Sequence, residues 1–200
     1  MAQKDSSIEL DLGKVEQAGA RSHGLDFPRT RITDWMDAVV DFIGGIINWI
    51  WILLVLVIVL NVIGRYALGV NYVWVEEVQW HMYAVGFMIG IGYALKHDTH
   101  VRVDVVAMTL RPKVRAWIEL LGILILLAPM IYMILSYAIP FVEASWRRGE
   151  RSSAPGGLGN RWAIKAVIVV AFAYLGLAAA SRFLRVCAFL FGFPRPRKNS

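Results

Sequence analysis

The chain has 200 residues, 58% of them apolar, and carries a net charge of +6. Globular proteins are roughly 45–50% apolar, and here the excess lies in four blocks around residues 42–63, 78–95, 116–141 and 166–193. Blocks of about 18 or more apolar residues are long enough to cross a bilayer as helices, so they exclude a sizeable soluble domain. We predict an all-α polytopic membrane protein with four transmembrane helices, since a water-soluble bundle would instead show amphipathic stripes.

The positive charge would suit a nucleic-acid-binding protein, but in a membrane protein it reflects Lys and Arg kept on the cytoplasmic side. We therefore expect no nucleic-acid partner. The single cysteine, Cys187, excludes an intrachain disulfide. Residues 1–30 are polar and of mixed charge, without an early apolar core. We expect residues 1–32 to form a poorly ordered tail and not a signal peptide.

The first helix is expected to begin at Asp34, with Thr33 as its N-cap, and to span the membrane over residues 42–64. Three aspartates lie at helical spacing in its first turns: Asp34, Asp37 and Asp41. We interpret them as a solvated or headgroup-level face, because the helix dipole favours acidic residues there. Asn48 lies inside the apolar run, so we expect it to face a neighbouring helix rather than lipid.

The second helix is predicted over residues 74–95, after a short connection that makes it the antiparallel neighbour of the first. Its glycines, among them Gly86 and Gly90, would permit close helix packing. Residues 96–115 are basic. Their apolar residues fit a short interfacial amphipathic helix better than a strand, because a strand would leave open edges at the membrane surface. Pro112 indicates that a new helix begins nearby.

The third span is predicted over residues 115–140, with a kink at Pro129 and an end near Pro140. Residues 141–162 contain turn-forming residues flanked by aromatics, and we interpret them as a long loop. The fourth span is predicted over residues 163–191. These spans complete a membrane domain that extends from residue 33 to residue 193.

Lys and Arg are unevenly distributed between the two sides of the predicted membrane. Five lie in the N-terminal tail, five in residues 96–115 and five at the C-terminal end, which is 15 of the 21 in the chain. The excess of positive charge predicts that both termini are cytoplasmic, including the basic tail 194–200. The loops 66–73 and 141–162 would then face outward.

Two carboxylates and a histidine lie in the first turns of the second helix. Glu77 and His81 share a face, and Glu76 is offset by about 100°. Two ligands on one face make half a metal site, and the third and fourth helices offer only Glu143 near that depth, so we expect no metal. Two readings stay open: hydrated side chains, or an ion pair with Arg65 or with a partner subunit.

A redox anchor is the alternative for four apolar helices. A b-type haem needs two axial ligands from facing helices, and His81 is the only histidine within a predicted span. We expect no cofactor in this chain, and we keep the membrane anchor subunit of a b-haem complex as the alternative function.

Several motifs follow one another in a fixed order: Asn61-Val-x-x-Arg65-Tyr66, Trp74-x-Glu76-Glu77, a glycine-rich second helix and His97-Asp-x-His100-Val-Arg-Val-Asp104. A Ser153-Ala-Pro-Gly-Gly-Leu158 loop, followed by Arg161-Trp162 and Lys165, completes the set. In this order and spacing, from about Trp35 to Arg185, the chain resembles the small membrane subunit of tripartite ATP-independent periplasmic (TRAP) transporters, the DctQ type.

The resemblance implies a non-catalytic, multi-pass subunit of the bacterial inner membrane. Such subunits brace a large permease subunit, which carries solute and Na⁺ by an elevator motion. They also help to receive a periplasmic solute-binding protein that delivers an organic acid or a similar solute. Membrane lipids would surround the chain, and Na⁺ is expected in the partner large subunit rather than here.

The resemblance also implies a set of structural or partner-contact candidates. The set is Arg65, Trp74, Glu76, Glu77, Trp80, His81, His100, Asp104, Arg147, Arg148, Arg151 and Trp162. The two glutamates and Arg65 would be structural or docking groups, and the three later arginines would contact an acidic patch on the binding protein. We also expect Glu77 to matter more for assembly or uptake than Asp37.

Overall fold

The computed structural model describes residues 27–28, 30–97 and 110–193. Within them the chain forms four helices: α1 (Arg31–Ala67), α2 (Val73–His97), α3 (Pro112–Arg147) and α4 (Trp162–Phe191). These described segments contain no strand, which confirms the all-α prediction for this part of the chain.

The helices run alternately up and down. The side chain of Lys96, at the end of α2, donates to the carbonyl of Asp37 near the start of α1, at 2.9 Å. Arg182, late in α4, pairs with Glu119 near the start of α3. One end of the bundle, called the Asp37 end, therefore holds the starts of α1 and α3 and the ends of α2 and α4. The opposite end is called the Glu77 end.

The core lies where α4 packs against α1 and α2. It contains Val40, Ile89, Ala171, Tyr174 and Ala178, all buried. The Tyr174 hydroxyl donates to the Val40 carbonyl at 2.8 Å, so a polar side chain in the core is satisfied. Gly92 of α2 lies under the Tyr174 ring, and a Cβ there would be only 2.6 Å from Cε1. A glycine is therefore required for this approach of α2 to α4.

The N-terminus of α1 differs from the prediction. Thr30 is the N-cap: its hydroxyl accepts from the Thr33 amide at 3.3 Å, and Thr33 Oγ1 accepts from the Thr30 amide at 2.9 Å. This reciprocal capping starts the helix at Arg31, three residues before the predicted start at Asp34. The prediction failed because either threonine fits the N-cap pattern, and only the geometry separates them.

α3 continues past both of its prolines. A π-helical segment, Gly122–Leu127, precedes Pro129, and the Ala128 amide donates to the Ile123 carbonyl. The predicted end near Pro140 is wrong, because the helix extends to Arg147 with Pro140 inside it. In lipid, ending a helix would leave backbone groups without partners, so proline is tolerated within the span.

Three helices, α1, α3 and α4, are long enough and apolar enough to cross a membrane. The prediction of four spans is thus supported for three. α2 has 25 residues, a length that also suffices, but polar Gln79 and His81 and its glycines make it less apolar than the others. Of the predicted interfacial helix in residues 96–115, residues 98–109 lie outside the described residues, as do residues 1–26 and 29 of the predicted tail 1–32 and the predicted tail 194–200. Residues 31–32 of the predicted N-terminal tail belong to α1.

A polar network fastens the Asp37 end. Asp37 is 7% exposed; Ser181 Oγ donates to its Oδ1 at 2.7 Å, and Arg185 forms an ion pair with its Oδ2. Lys96 also pairs with Asp41, which His97 Nε2 contacts at 3.0 Å. We call this the Asp37 network: Asp37, Asp41, Lys96, His97, Ser181 and Arg185.

The Asp37 network corrects the interpretation of the aspartates as a solvated face. Asp41 is half exposed, but Asp37 points into the bundle toward α4. The expectation that Glu77 matters more than Asp37 for assembly or uptake stays a prediction.

We predict that Asp37→Ala lowers the free energy of unfolding by about 3 kcal/mol, because a buried carboxylate loses a hydrogen bond and an ion pair. Glu143→Ala is the matched control: Glu143 also pairs with an arginine, Arg147, but both side chains are more than half exposed, so its loss should cost less than about 1 kcal/mol. Thermal unfolding in detergent measures both. Equal melting temperatures for the two variants would contradict the structural role of Asp37.

Candidate functional site

At the Glu77 end, one carboxylate holds the loop that joins α3 to α4. The α3–α4 loop comprises residues 148–161. Glu77 Oε2 accepts from the backbone amide of Leu158 at 2.6 Å, and Oε1 accepts from the Ser152 hydroxyl. Glu77 therefore binds two points of the loop at once. We call this set of contacts the Glu77 clasp: Glu77, Ser152 and Leu158.

The loop is shaped to fit around this carboxylate. The Gly157 amide donates to the Ala154 carbonyl at 3.0 Å, and Gly156 has a φ of 77°. Pro155 followed by a glycine with positive φ is the pattern of a type II turn. A Cβ on Gly157 would lie 2.8 Å from Glu77 Oε1, so this second glycine provides the room that the carboxylate occupies.

A second carboxylate closes the base of the loop. Glu150 Oε2 accepts from Lys165 Nζ at 2.5 Å and from Ser145 Oγ at 2.7 Å. The hydrogen bond from Lys165, followed by that from Ser145, holds the pKa of the Glu150 carboxyl below its ordinary 4.5. Lys165 also lies 4.0 Å from the centroid of the Phe141 ring, a cation–π contact that fixes its position.

The predicted residues on α2 take different roles. Arg65 pairs with Glu76 at 2.7 Å, and both are partly exposed, which is a weak interaction in water. His81 lies with Nδ1 against the Glu77 main-chain carbonyl. Trp80 is 74% exposed and points out of the bundle.

The remaining aromatic candidates flank this end. Trp162 packs edge-to-face on Trp146, with ring centroids 4.3 Å apart. Trp74 is half exposed and lies beside Tyr72, with ring centroids 6.2 Å apart. His100 and Asp104 lie outside the described residues.

Three arginines predicted to contact a partner lie together at this end. Arg147 pairs with Glu143 one turn earlier, and Arg148 Nε donates to the Ala144 carbonyl at 3.1 Å. Arg151 is exposed and makes no ion pair with the residues that the structure describes. The site therefore presents guanidinium groups to solvent from an ordered support.

The Glu77 carboxylate supports the α3–α4 loop. Among the described residues no three His, Cys, Asp or Glu side chains gather as a metal site would require. Both oxygens of Glu77 are already engaged by the loop. The carboxylate thus orders a surface.

Sequence reasoning missed the partners of both carboxylates. Leu158 contributes only its backbone amide to Glu77, and no side-chain pattern reports that. Glu150 did have a signal: it is the last acidic residue of the chain, among many Lys and Arg. An acid in such a setting is expected to pair with a nearby cation.

We predict that Glu77→Ala frees the α3–α4 loop. Both carboxylate oxygens accept hydrogen bonds from the loop, so without them the loop should open more often, and the amides of residues 152–158 other than Pro155 should exchange with deuterium severalfold faster. Glu76→Ala is the control, because among the described residues Glu76 pairs with exposed Arg65 and makes no contact with the α3–α4 loop. Unchanged exchange in the Glu77 variant would exclude the clasp.

We also predict that the stability of the α3–α4 loop depends on pH through Glu150. Its pKa is lowered in the folded loop, so the contact stabilises the loop fully above the ordinary pKa of 4.5 and is lost as pH falls through the lowered value. Fluorescence of Trp146 and Trp162 during an acid titration reports this opening. A Glu150→Gln variant should lack the transition, and an identical titration curve for both proteins would contradict the assignment.

Comparison with known proteins places the chain in a family. A search of curated proteins finds no match. The family model described as "Tripartite ATP-independent periplasmic transporters, DctQ component" matches residues 54–189, well over half of the chain. That range contains the Glu77 clasp and the α3–α4 loop, and the chain belongs to the DctQ family of TRAP transporter components.

Proposed function

We propose that the chain is the small, non-catalytic membrane subunit of a Na⁺-coupled TRAP transporter, bracing a large permease and helping to dock a periplasmic solute-binding protein during uptake of an organic acid or similar solute. The observation that carries the proposal is the α3–α4 loop, which two carboxylates hold in place at the Glu77 end. An ordered loop with exposed arginines is suited to receiving a partner.

The bracing role is supported by how much apolar surface the helices leave uncovered. In α1, Trp49 is 70% exposed and Ile52 is 62% exposed. Such faces are suited to lipid or to another membrane protein. A subunit that enlarges a permease needs this kind of surface.

The docking role is supported by the charge of the α3–α4 loop. The loop carries Arg148, Arg151 and Arg161 against one acid, Glu150, which Lys165 already holds. Its exposed charge is therefore positive. An acidic patch on the binding protein would be attracted to it, and such complementarity mainly raises the association rate.

The proposal places the chain in the bacterial inner membrane with both termini in the cytoplasm. Of the 21 Lys and Arg, 15 lie in the N-terminal tail, in residues 96–115 and at the C-terminal end, and this excess favours this orientation. α2 is then the fourth span, because it connects the Glu77 end to the Asp37 end beside α1 and must cross the same layer.

Co-purification tests the bracing role. The tagged chain, extracted in mild detergent, should bring down a much larger membrane protein, and the pair reconstituted with the binding protein should take up solute only with a Na⁺ gradient. A chain that purifies alone from membranes containing the permease would refute the proposal.

Charge reversal tests the docking role. The double variant Arg148→Glu and Arg151→Glu should slow uptake severalfold at low binding-protein concentration, with less effect at saturation, because the association rate falls. The control is Arg111→Glu with Lys113→Glu, the same charge change on exposed residues at the Asp37 end. Equal uptake by both double variants would remove the loop from the docking surface.

A further inference from the structure

A groove of about 290 Å³ lies between the apolar parts of α1 and α2. Two glycines that line the groove allow α1 and α2 to pack closely. The Tyr93 ring lies over Gly44, and a Cβ on Gly86 would be 2.9 Å from Ile50 Cγ2. Gly90 also lines the groove, but no atom lies within 4 Å of the place where its Cβ would be. Gly90 thus leaves space that the folded chain does not fill.

Asn48 lines the same groove and is exposed. Its amide makes no hydrogen bond with the described residues. It lies six residues after Phe42, where the apolar run begins, and so about 9 Å along the apolar part of α1. Asn48 was expected to face a neighbouring helix rather than lipid; it does line a groove beside α2, but no polar group of the described chain bonds to its amide.

Lipid alone does not account for both the open space beside Gly90 and the Asn48 amide that has no hydrogen bond. An acyl chain could fill the space beside Gly90, but it has no donor or acceptor for an amide. An unpaired amide in hydrocarbon is costly. A second helix accounts for both, because small residues allow close approach and polar side chains bond across helices.

We propose that this groove receives one membrane-spanning helix of the large permease. That helix lays an apolar face over Gly90 and turns a hydroxyl or amide side chain to Asn48. The inference rests on the proposed function and adds the face through which bracing occurs. The uncovered surface of α1 agrees with it. In the apolar 18-residue stretch of each helix, 6% of the α1 residues are buried within the chain, against 28% for α4.

Photo-crosslinking in the intact transporter identifies the occupant. Phe87 lines the groove and is 54% exposed, so p-benzoylphenylalanine replaces it with little change of shape. Tyr132 on α3, 75% exposed and outside the groove, is the control position. We expect a cross-link to the permease from position 87 and much less from position 132.

Substitutions test the two features separately. Asn48→Leu should weaken retention of the permease roughly threefold or more, the effect of one interhelical hydrogen bond. Gly90→Leu should weaken it further by filling the groove. The matched control is Gly122→Leu on α3, where the space around the Cβ is equally open and retention should not change. Melting of the isolated chain should change little, because Asn48 makes no hydrogen bond with the described residues and the place of a Gly90 Cβ is open.

Three results would overturn the inference while leaving the proposed function intact. They are a cross-link from position 87 to a second copy of this chain, no protein cross-link although the permease co-purifies, and equal retention by all three variants. If the unmodified chain retains no permease, the proposed function fails and the inference fails with it.

Discussion

The bundle depends on one buried carboxylate, that of Asp37. A charged group at this depth is tolerated only when its bonds are met from within the protein. Ser181 and Arg185 of α4 meet them, and Lys96 of α2 binds the carbonyl of the same residue. Asp37 of α1 thus fixes how α2 and α4 pack against α1. The Tyr174 hydroxyl repeats the arrangement one turn further along, on the carbonyl of Val40.

The two ends of the bundle satisfy their acidic groups in different ways, and the difference bears on function. At the Asp37 end, side chains of neighbouring helices form hydrogen bonds and ion pairs with the carboxylates. At the Glu77 end, Glu77 is met by a loop hydroxyl and a loop amide. The first arrangement fixes helices to each other. The second fixes a surface segment to a helix, which keeps exposed arginines in a defined place.

Much of the architecture was predictable from the sequence, because spans are set by apolar length. The helices α1, α3 and α4 follow directly from their apolar blocks. The role of Asp37 did not, since Ser181 lies 144 residues away and helical spacing alone cannot separate a buried face from a solvated one. Glu77 was chosen as a candidate from its position in a motif. One of its two partners is a main-chain amide, which any residue except proline would supply at position 158.

The errors at the helix ends share a physical cause. Thr30 and Thr33 are both acceptable caps, and the choice depends on the reciprocal hydrogen bonds between them. Pro140 was interpreted as a terminus by a rule that holds in water, where freed backbone groups are hydrated. In lipid the helix continues to Arg147, and the predicted loop is shorter as a result.

The length of α1 has a consequence for the surrounding bilayer. With 37 residues it measures about 55 Å, while the hydrocarbon layer is about 30 Å thick. Because α1 is joined to α2 by a short turn at one end and by Lys96 at the other, it cannot slide to match a thicker or thinner layer. Only its apolar run, residues 42–63, about 33 Å long, has to match the layer, so the remaining turns of α1 extend beyond the hydrocarbon. In a thinner membrane the fastened helices therefore tilt together rather than one at a time.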